Sequence, residues 1–300
     1  MKAKGAAYVK RKALFMAVTT TVLWSGSYIL NKLAFQGGIG PLTLSGMRYL
    51  IAALLLLGLG GRKKREDGEA LPFPMIALLG LLGYAAAQGL QYVGQSTLTP
   101  TQSSLSLSVG NTLCVMLVDM LWLRENQSRW DFVKLLFLIA GIAAYYYPWG
   151  ASDISVPGLL FMAASSVGYA IHMTLNRHLL KSKRVTARAL VAQPMLVGAI
   201  VLLIVGLWVE GMPVLTGRLM LILGYLSVVS GALGFTLWTR SQSALTAFES
   251  SGINNLMLVE IALMDFLAFG RSFSPLQVAA IFVVFASVVS IQTGRSAKKA

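Results

Sequence analysis

Residues 24–32 read WSGSYILNK and residues 169–177 read YAIHMTLNR. Each opens on a large aromatic, closes on Leu-Asn followed by a cation, and sits in a run that otherwise avoids polar residues. Those runs decide the fold. A block of about 20 apolar residues crosses a bilayer as one helix. Ten such blocks fall near 13–35, 41–60, 73–93, 98–123, 132–149, 157–176, 187–209, 219–239, 252–270 and 275–294. Only 12% of the 300 residues are charged and the mean hydropathy is +0.70, whereas soluble domains are about 25% charged. The connections are too short for a soluble domain. The first block is longer than the ~7–15-residue core of a signal peptide and lacks a clear cleavage site, so it reads as a retained helix.

The charge distribution sets topology rather than nucleic-acid binding, despite a net charge of +14. Of the 25 lysines and arginines, all but Lys32, Arg48, Arg218 and Arg271 fall before the first block, after the even-numbered blocks or at the C-terminus. With ten spans these segments share one side, which the positive-inside rule makes cytoplasmic. Both termini are expected there. The run Arg62, Lys63, Lys64, Arg65 is then a topology signal, with a nuclear-localisation or RNA-binding run as the weak alternative.

The opening pair belongs to a longer repeat. At the same offset Arg48 overlays Gln193, and further on LTPTQSS at 98–104 matches LTAFESS at 245–251, with Arg124 against Arg271. Thr99 with Gln102, and Thr246 with Glu249, each fit a capping box, which two unrelated helix starts could share. Three matches in one order favour duplication, with halves 1–150 and 151–300. Because five spans are odd, the second half must be inverted. The expected fold is an all-α polytopic membrane protein of ten transmembrane helices in two inverted five-helix repeats. Inverted repeats recur in secondary transporters, where the halves exchange conformations around a midplane site.

Trp24-Ser25-Gly26 with Lys32, Arg48 in the second block, and Leu123-Arg124-Glu125 closing the fourth resemble motifs of the drug/metabolite transporter superfamily, in its EamA-type branch. The resemblance implies ten helices and the export of small organic molecules such as amino acids or drug-like amphiphiles by alternating access, from a bacterial inner membrane. The family's mid-helix proline is absent from helices four and nine, where Gly110-Asn111 and Met257 stand, and Ser272 replaces a carboxylate opposite Glu125. A helix break at Gly110 could stand in for the proline kink.

Candidate site residues follow from polarity inside spans. An ionisable side chain at mid-span costs about 2.5–3.5 kcal/mol on insertion scales. Glu260 and Arg48 are the deepest, and each is either a buried tie or a coupling and binding group. Asp119 and Asp265 lie nearer helix ends, where solvation is easier. Trp24, Tyr28 and Asn31 share one helical stripe, as do Tyr169, His172 and Asn176, and the two stripes would face a central cavity. Tyr84, Gln88, Gln91 and Gln95 lie along one face of helix three, with Gln95 expected at the interface. Asn111, Asn254, Asn255, Gln193 and Trp238 add polar or aromatic lining. Amides of this kind tie helices together as often as they bind cargo. Lys32 and Arg177 are expected to snorkel toward water or phosphate, and Trp208, Trp122, Trp149 and Tyr145–Tyr147 to form interfacial belts.

Cys114 is alone and His172 and His178 are the only histidines, so no metal site, cofactor or catalytic constellation is expected and the chain does not read as an enzyme. Expected partners are a small-molecule substrate, membrane lipids and protons, without nucleic acid, in a monomer or weak homodimer. A vitamin or nucleoside importer, or a lipid-handling or scaffold subunit that carries no soluble cargo, remain the alternatives.

Overall fold

A computed structural model describes residues 2–58, 71–121, 129–147, 154–181, 189–241, 244–245 and 247–299. Arg62–Arg65, Trp122, Leu123, Arg124, Glu125, Trp149 and Thr246, with the side chains of Asp119, Arg177, His178 and Glu249, lie outside the described residues.

Ten helices follow one another: α1 (Lys2–Gln36), α2 (Pro41–Gly58), α3 (Phe73–Thr97), α4 (Pro100–Leu121), α5 (Arg129–Tyr145), α6 (Val156–Lys181), α7 (Ala189–Glu210), α8 (residues 217–241), α9 (Ala247–Phe269) and α10 (Pro275–Lys299). No strand occurs among the described residues. α1, α2, α3, α6, α7 and α8 are long and apolar enough to cross a membrane, and α5 and α10 carry shorter apolar stretches. α4 and α9 are the polar pair. They can be so because protein rather than lipid surrounds their polar faces: Ser103, Ser104, Thr112, Asn255 and Asp265 are all buried.

The bundle is inside-out relative to a soluble one. Leu54, Leu136, Phe137, Leu160, Ile204, Leu221, Leu263, Leu267 and Phe282 are exposed along the helices, while buried serines and threonines are interspersed among the apolar side chains of the interior. Exposed apolar surface on this scale marks a lipid-facing wall.

The strongest packing between the two halves pairs α2 with α7, α5 with α10, α4 with α9, α4 with α6, α1 with α9, α3 with α6, α1 with α8, α3 with α7 and α2 with α8. Exchanging each helix for the one five places on returns this same set of pairs. Directions obey the same exchange with reversal. The start of α2 meets the end of α7 at Glu210, and the start of α4 meets α9 near its end at Asp265. The end of α5 meets the start of α10 through Tyr145 and Gln277. Gly158 at the start of α6 abuts Thr97 and Leu98, beside the Lys32 end of α1.

Small residues let the central pair approach. A Cβ on Gly46 of α2 would lie 2.7 Å from Leu203 N, and one on Gly206 of α7 would lie 2.6 Å from Thr43 N. Backbone contact of this kind is how helices associate where lipid removes the hydrophobic drive. Gly110 serves packing as well. α4 runs unbroken through it, and a Cβ there would strike the Ser166 side chain of α6, so it seats a neighbour and does not break the helix.

The third helix of each half is locally rewound. Leu81–Gln88 in α3 and Tyr225–Leu233 in α8 are π-helical, a widened winding frequent at functional sites. Glycines flank both segments, at 80 and 89 and at 224 and 234.

Candidate functional site

Arg48 lies two turns into α2 and is 7% exposed. Its Nη1 donates to Tyr92 Oη, and its Nη2 donates to Ser230 Oγ at 3.1 Å. The Cζ sits 5.2 Å from the Tyr49 ring centre and 6.0 Å from that of Tyr92, within cation–π range. Tyr49 donates to Gln88 Oε1 at 2.7 Å, and its ring meets Tyr84 edge-on at 5.6 Å. Gln91 reaches Tyr28 Oη at 3.5 Å, the long limit of a hydrogen bond. Three tyrosines, a guanidinium and an amide thus meet between α2 and α3, with Tyr28 of α1 beside them.

Both π segments receive a side chain from the first helix of the opposite half. Trp24 Nε1 donates to Ser230 O at 3.0 Å, and Ser165 Oγ donates to Ala87 O at 2.6 Å. Ser27 and Ser230 share a 2.5 Å hydroxyl contact, and Tyr225 Oη donates to Leu23 O at 3.2 Å. Ser230 therefore joins α1, α2 and α8 at one point.

Glu260 of α9 reaches α1, where Oε2 accepts from Ser25 Oγ at 2.8 Å and Oε1 from Thr21 Oγ1 at 3.0 Å. Both partners are neutral hydroxyls, so no cation compensates the carboxylate among the described contacts.

The end of the bundle that gathers the starts of α2 and α4 is closely tied. Glu210 accepts from Leu42 N and Thr43 N at 2.8 Å each and from Thr43 Oγ1 at 2.7 Å. Asp265 accepts from Thr101 N at 3.1 Å and Thr101 Oγ1 at 2.6 Å, and Arg271 Nε stands 3.5 Å from its other oxygen. Carboxylates at helix N-termini satisfy orphan N–H groups and meet the positive end of the helix dipole. A cleft of about 430 Å³ lies at this end among Gln102, Tyr146, Arg271 and Gln277.

Several sequence expectations are refined or corrected here. Lys32 is partly exposed, and its Nζ donates to Ser96 O and Leu98 O, the bare carbonyls where α3 ends. Gln95, near the end of α3, is 4% exposed and accepts from Asn31 Nδ2 at 2.8 Å. Asp265 is fully buried rather than solvated, because the start of α4 provides its partners. Tyr145 is buried among α4, α9 and α10 and forms no belt, whereas Trp208 and Tyr147 are exposed. The single face expected for helix three divides: Tyr84 and Gln88 turn to Tyr49 of α2, and Gln91 and Gln95 to α1.

The remaining candidates scatter through the bundle. Trp24 packs on Phe235 and Trp238 of α8, with ring centres 5.5 and 5.4 Å away. His172 meets Tyr84 at 6.0 Å and Asn176 Nδ2 at 2.8 Å. Trp24 and His172 are thus each seated on the third helix of the opposite half, whereas Tyr28 and Asn31 meet α3 of their own half. Tyr169 is half-buried, Asn255 is buried and Asn254 is exposed. Asn31 Oδ1, Asn111 Oδ1, His172 Nδ1, Asn176 Oδ1 and Gln193 Oε1 are buried without a partner, which leaves hydrogen-bonding capacity inside the bundle. The sequence reading missed Glu210, Tyr49, Tyr92 and Ser230. Only the paired glycine-flanked segments of α3 and α8 hinted at Ser230.

A polar, charge-bearing interior inside an apolar-walled helical bundle defines a multi-pass membrane protein. The sequence profile of the EamA-like transporter family matches residues 11–147 and again residues 156–293. The chain belongs to the EamA-like transporter family, of the drug/metabolite transporter superfamily. It is 26% identical over 296 residues to an uncharacterised transporter, YvbV, of Bacillus subtilis (strain 168), covering 97% of this chain and 94% of the relative. It is 25% identical over 244 residues to a probable terminal-alkyne amino-acid exporter of Streptantibioticus cattleyicolor, covering 80% of each. A solved crystal structure superposes with a TM-score of 0.66 at 16% identity, over 96% of this chain and 98% of that one.

Proposed function

We propose that the protein is a secondary exporter of small organic metabolites, amino acids or drug-like amphiphiles, working by alternating access between halves 1–150 and 151–300. The observation that carries this reading is the reversed pairing of helices five places apart. Such an arrangement has two equivalent conformations, because exchanging the roles of the halves turns the molecule over in the membrane. The site residues are the Arg48 cluster with Trp24, Tyr28, Asn31, Tyr84, Gln88 and Gln91 on one side. Asn111, Tyr169, His172, Asn176, Gln193, Trp238 and Asn255 belong to the same interior.

Glu260 is the coupling group in this reading. It is half-buried and held only by two hydroxyls, so it can lose or gain a proton without breaking an ion pair. The basic connections support an orientation with both termini cytoplasmic, in a bacterial inner membrane, and the exporter name of one relative supports outward transport. The test is counterflow of labelled amino acids in proteoliposomes of known orientation. Exchange that saturates and collapses on unfolding supports transport. No exchange of any member of a broad solute panel by folded protein would favour a lipid-handling or scaffold role.

A further inference from the structure

We propose that Arg48 anchors the carboxylate of the cargo, so that the transported molecule is an amphiphilic organic acid or zwitterion. This deepens, and rests on, the transport reading above. The guanidinium is always charged and carries five donors in one plane. Its described partners are all neutral: Tyr92 Oη, Ser230 Oγ and the faces of Tyr49 and Tyr92. Among the described residues the ion pair is Asp265–Arg271, at the end of the bundle, and no carboxylate joins Arg48.

A buried cation is ordinarily paired, because leaving it unpaired is expensive. Here one donor is also unused: Arg48 Nε is buried and has no partner. Nε and Nη2 form the side-on fork that a carboxylate grips with two parallel bonds. Only the 3.1 Å hydroxyl contact of Ser230 occupies that fork. An arriving carboxylate would fill the empty Nε and displace a single neutral acceptor. The rings of Tyr28, Tyr49 and Tyr84 then stand beside the cargo's apolar body.

Displacing Ser230 has a mechanical effect. Ser230 lies in the π segment of α8 and is held from α1 by Ser27 and Trp24. Cargo at the fork would remove the Arg48–Ser230 hydrogen bond that ties α2 of one half to α8 of the other.

The test compares acids with their own amides. Wild-type protein in proteoliposomes exchanges labelled L-leucine or L-phenylalanine against unlabelled competitors: the amino acid, the deaminated acid (4-methylpentanoate or 3-phenylpropanoate) and the amino-acid amide. The acids should compete and the amides should be weaker by about tenfold or more, the value of hydrogen bonds to a charged group. Arg48→Gln should erase the difference between acid and amide, and Arg48→Lys should restore part of it. Amides that compete as well as acids in the wild type overturn the anchor while leaving transport standing, and need no variant to fold. Retained acid preference in Arg48→Gln also overturns it. No exchange of any of these solutes by folded wild-type protein overturns the anchor and the amino-acid export reading together.

Discussion

Asp265 and Thr101, 164 positions apart, are joined twice: one carboxylate oxygen accepts from both the backbone N and the hydroxyl of Thr101. Asp265 is fully buried while its ion-pair partner Arg271 is 46% exposed at 3.5 Å. The bonds to Thr101 should therefore dominate. Asp265→Ala is expected to destabilise the protein by about 1–3 kcal/mol, the penalty for stranding buried donors. Arg271→Gln should cost less than Asp265→Ala, because the start of α4 still holds the carboxylate. Thermal unfolding in detergent measures both, and equal losses would contradict this ranking.

Glu260→Gln keeps two hydrogen bonds to Thr21 and Ser25 within reach but removes the titratable proton. The expected outcome is retained solute exchange with loss of its response to an imposed pH gradient. Proteoliposome exchange at two external pH values decides the matter. An unchanged pH response would make Glu260 a tie between α1 and α9 and nothing more.

The π segments predict matched losses in the two halves. Ser165→Ala and Trp24→Phe each strip the side-chain donor from one segment carbonyl, and each should cost about 1 kcal/mol of stability. Since the two donors share no partner, the double variant should lose about the sum. Unfolding midpoints of the four proteins give the comparison.

At the α2–α7 crossing, any side chain on Gly206 meets backbone that cannot yield. Gly206→Val should abolish a monodisperse peak in size-exclusion chromatography. Gly224→Ala, where nothing lies within 4 Å, is the control expected to behave as wild type. A monodisperse Gly206→Val protein would show that the crossing can open.

The ten helices were legible because lipid demands long apolar runs, and their observed limits fall within a few residues of the blocks read from sequence, apart from longer N-terminal and C-terminal ends of α1 and α10. Thr99 and Gln102 form the capping box that their spacing announced, with bonds of 3.1 and 3.0 Å. What periodicity could not show was partnership between distant helices. The partner of Gln95 is Asn31 of α1, and the partners of Lys32 are carbonyls at the end of α3. The π winding also shifts the register of α3, so a stripe drawn at a constant turn angle cannot stay on one face.

Glu210 and Asp265 come from the second half of the chain, and both supply acceptors to helix starts in the first. Cut between residues 147 and 154, the first fragment would leave the amides of Leu42, Thr43 and Thr101 without these acceptors. Neither piece is expected to accumulate in cells by itself. Produced together they should co-purify as a split protein, whose reassembly would be governed by those two acidic side chains.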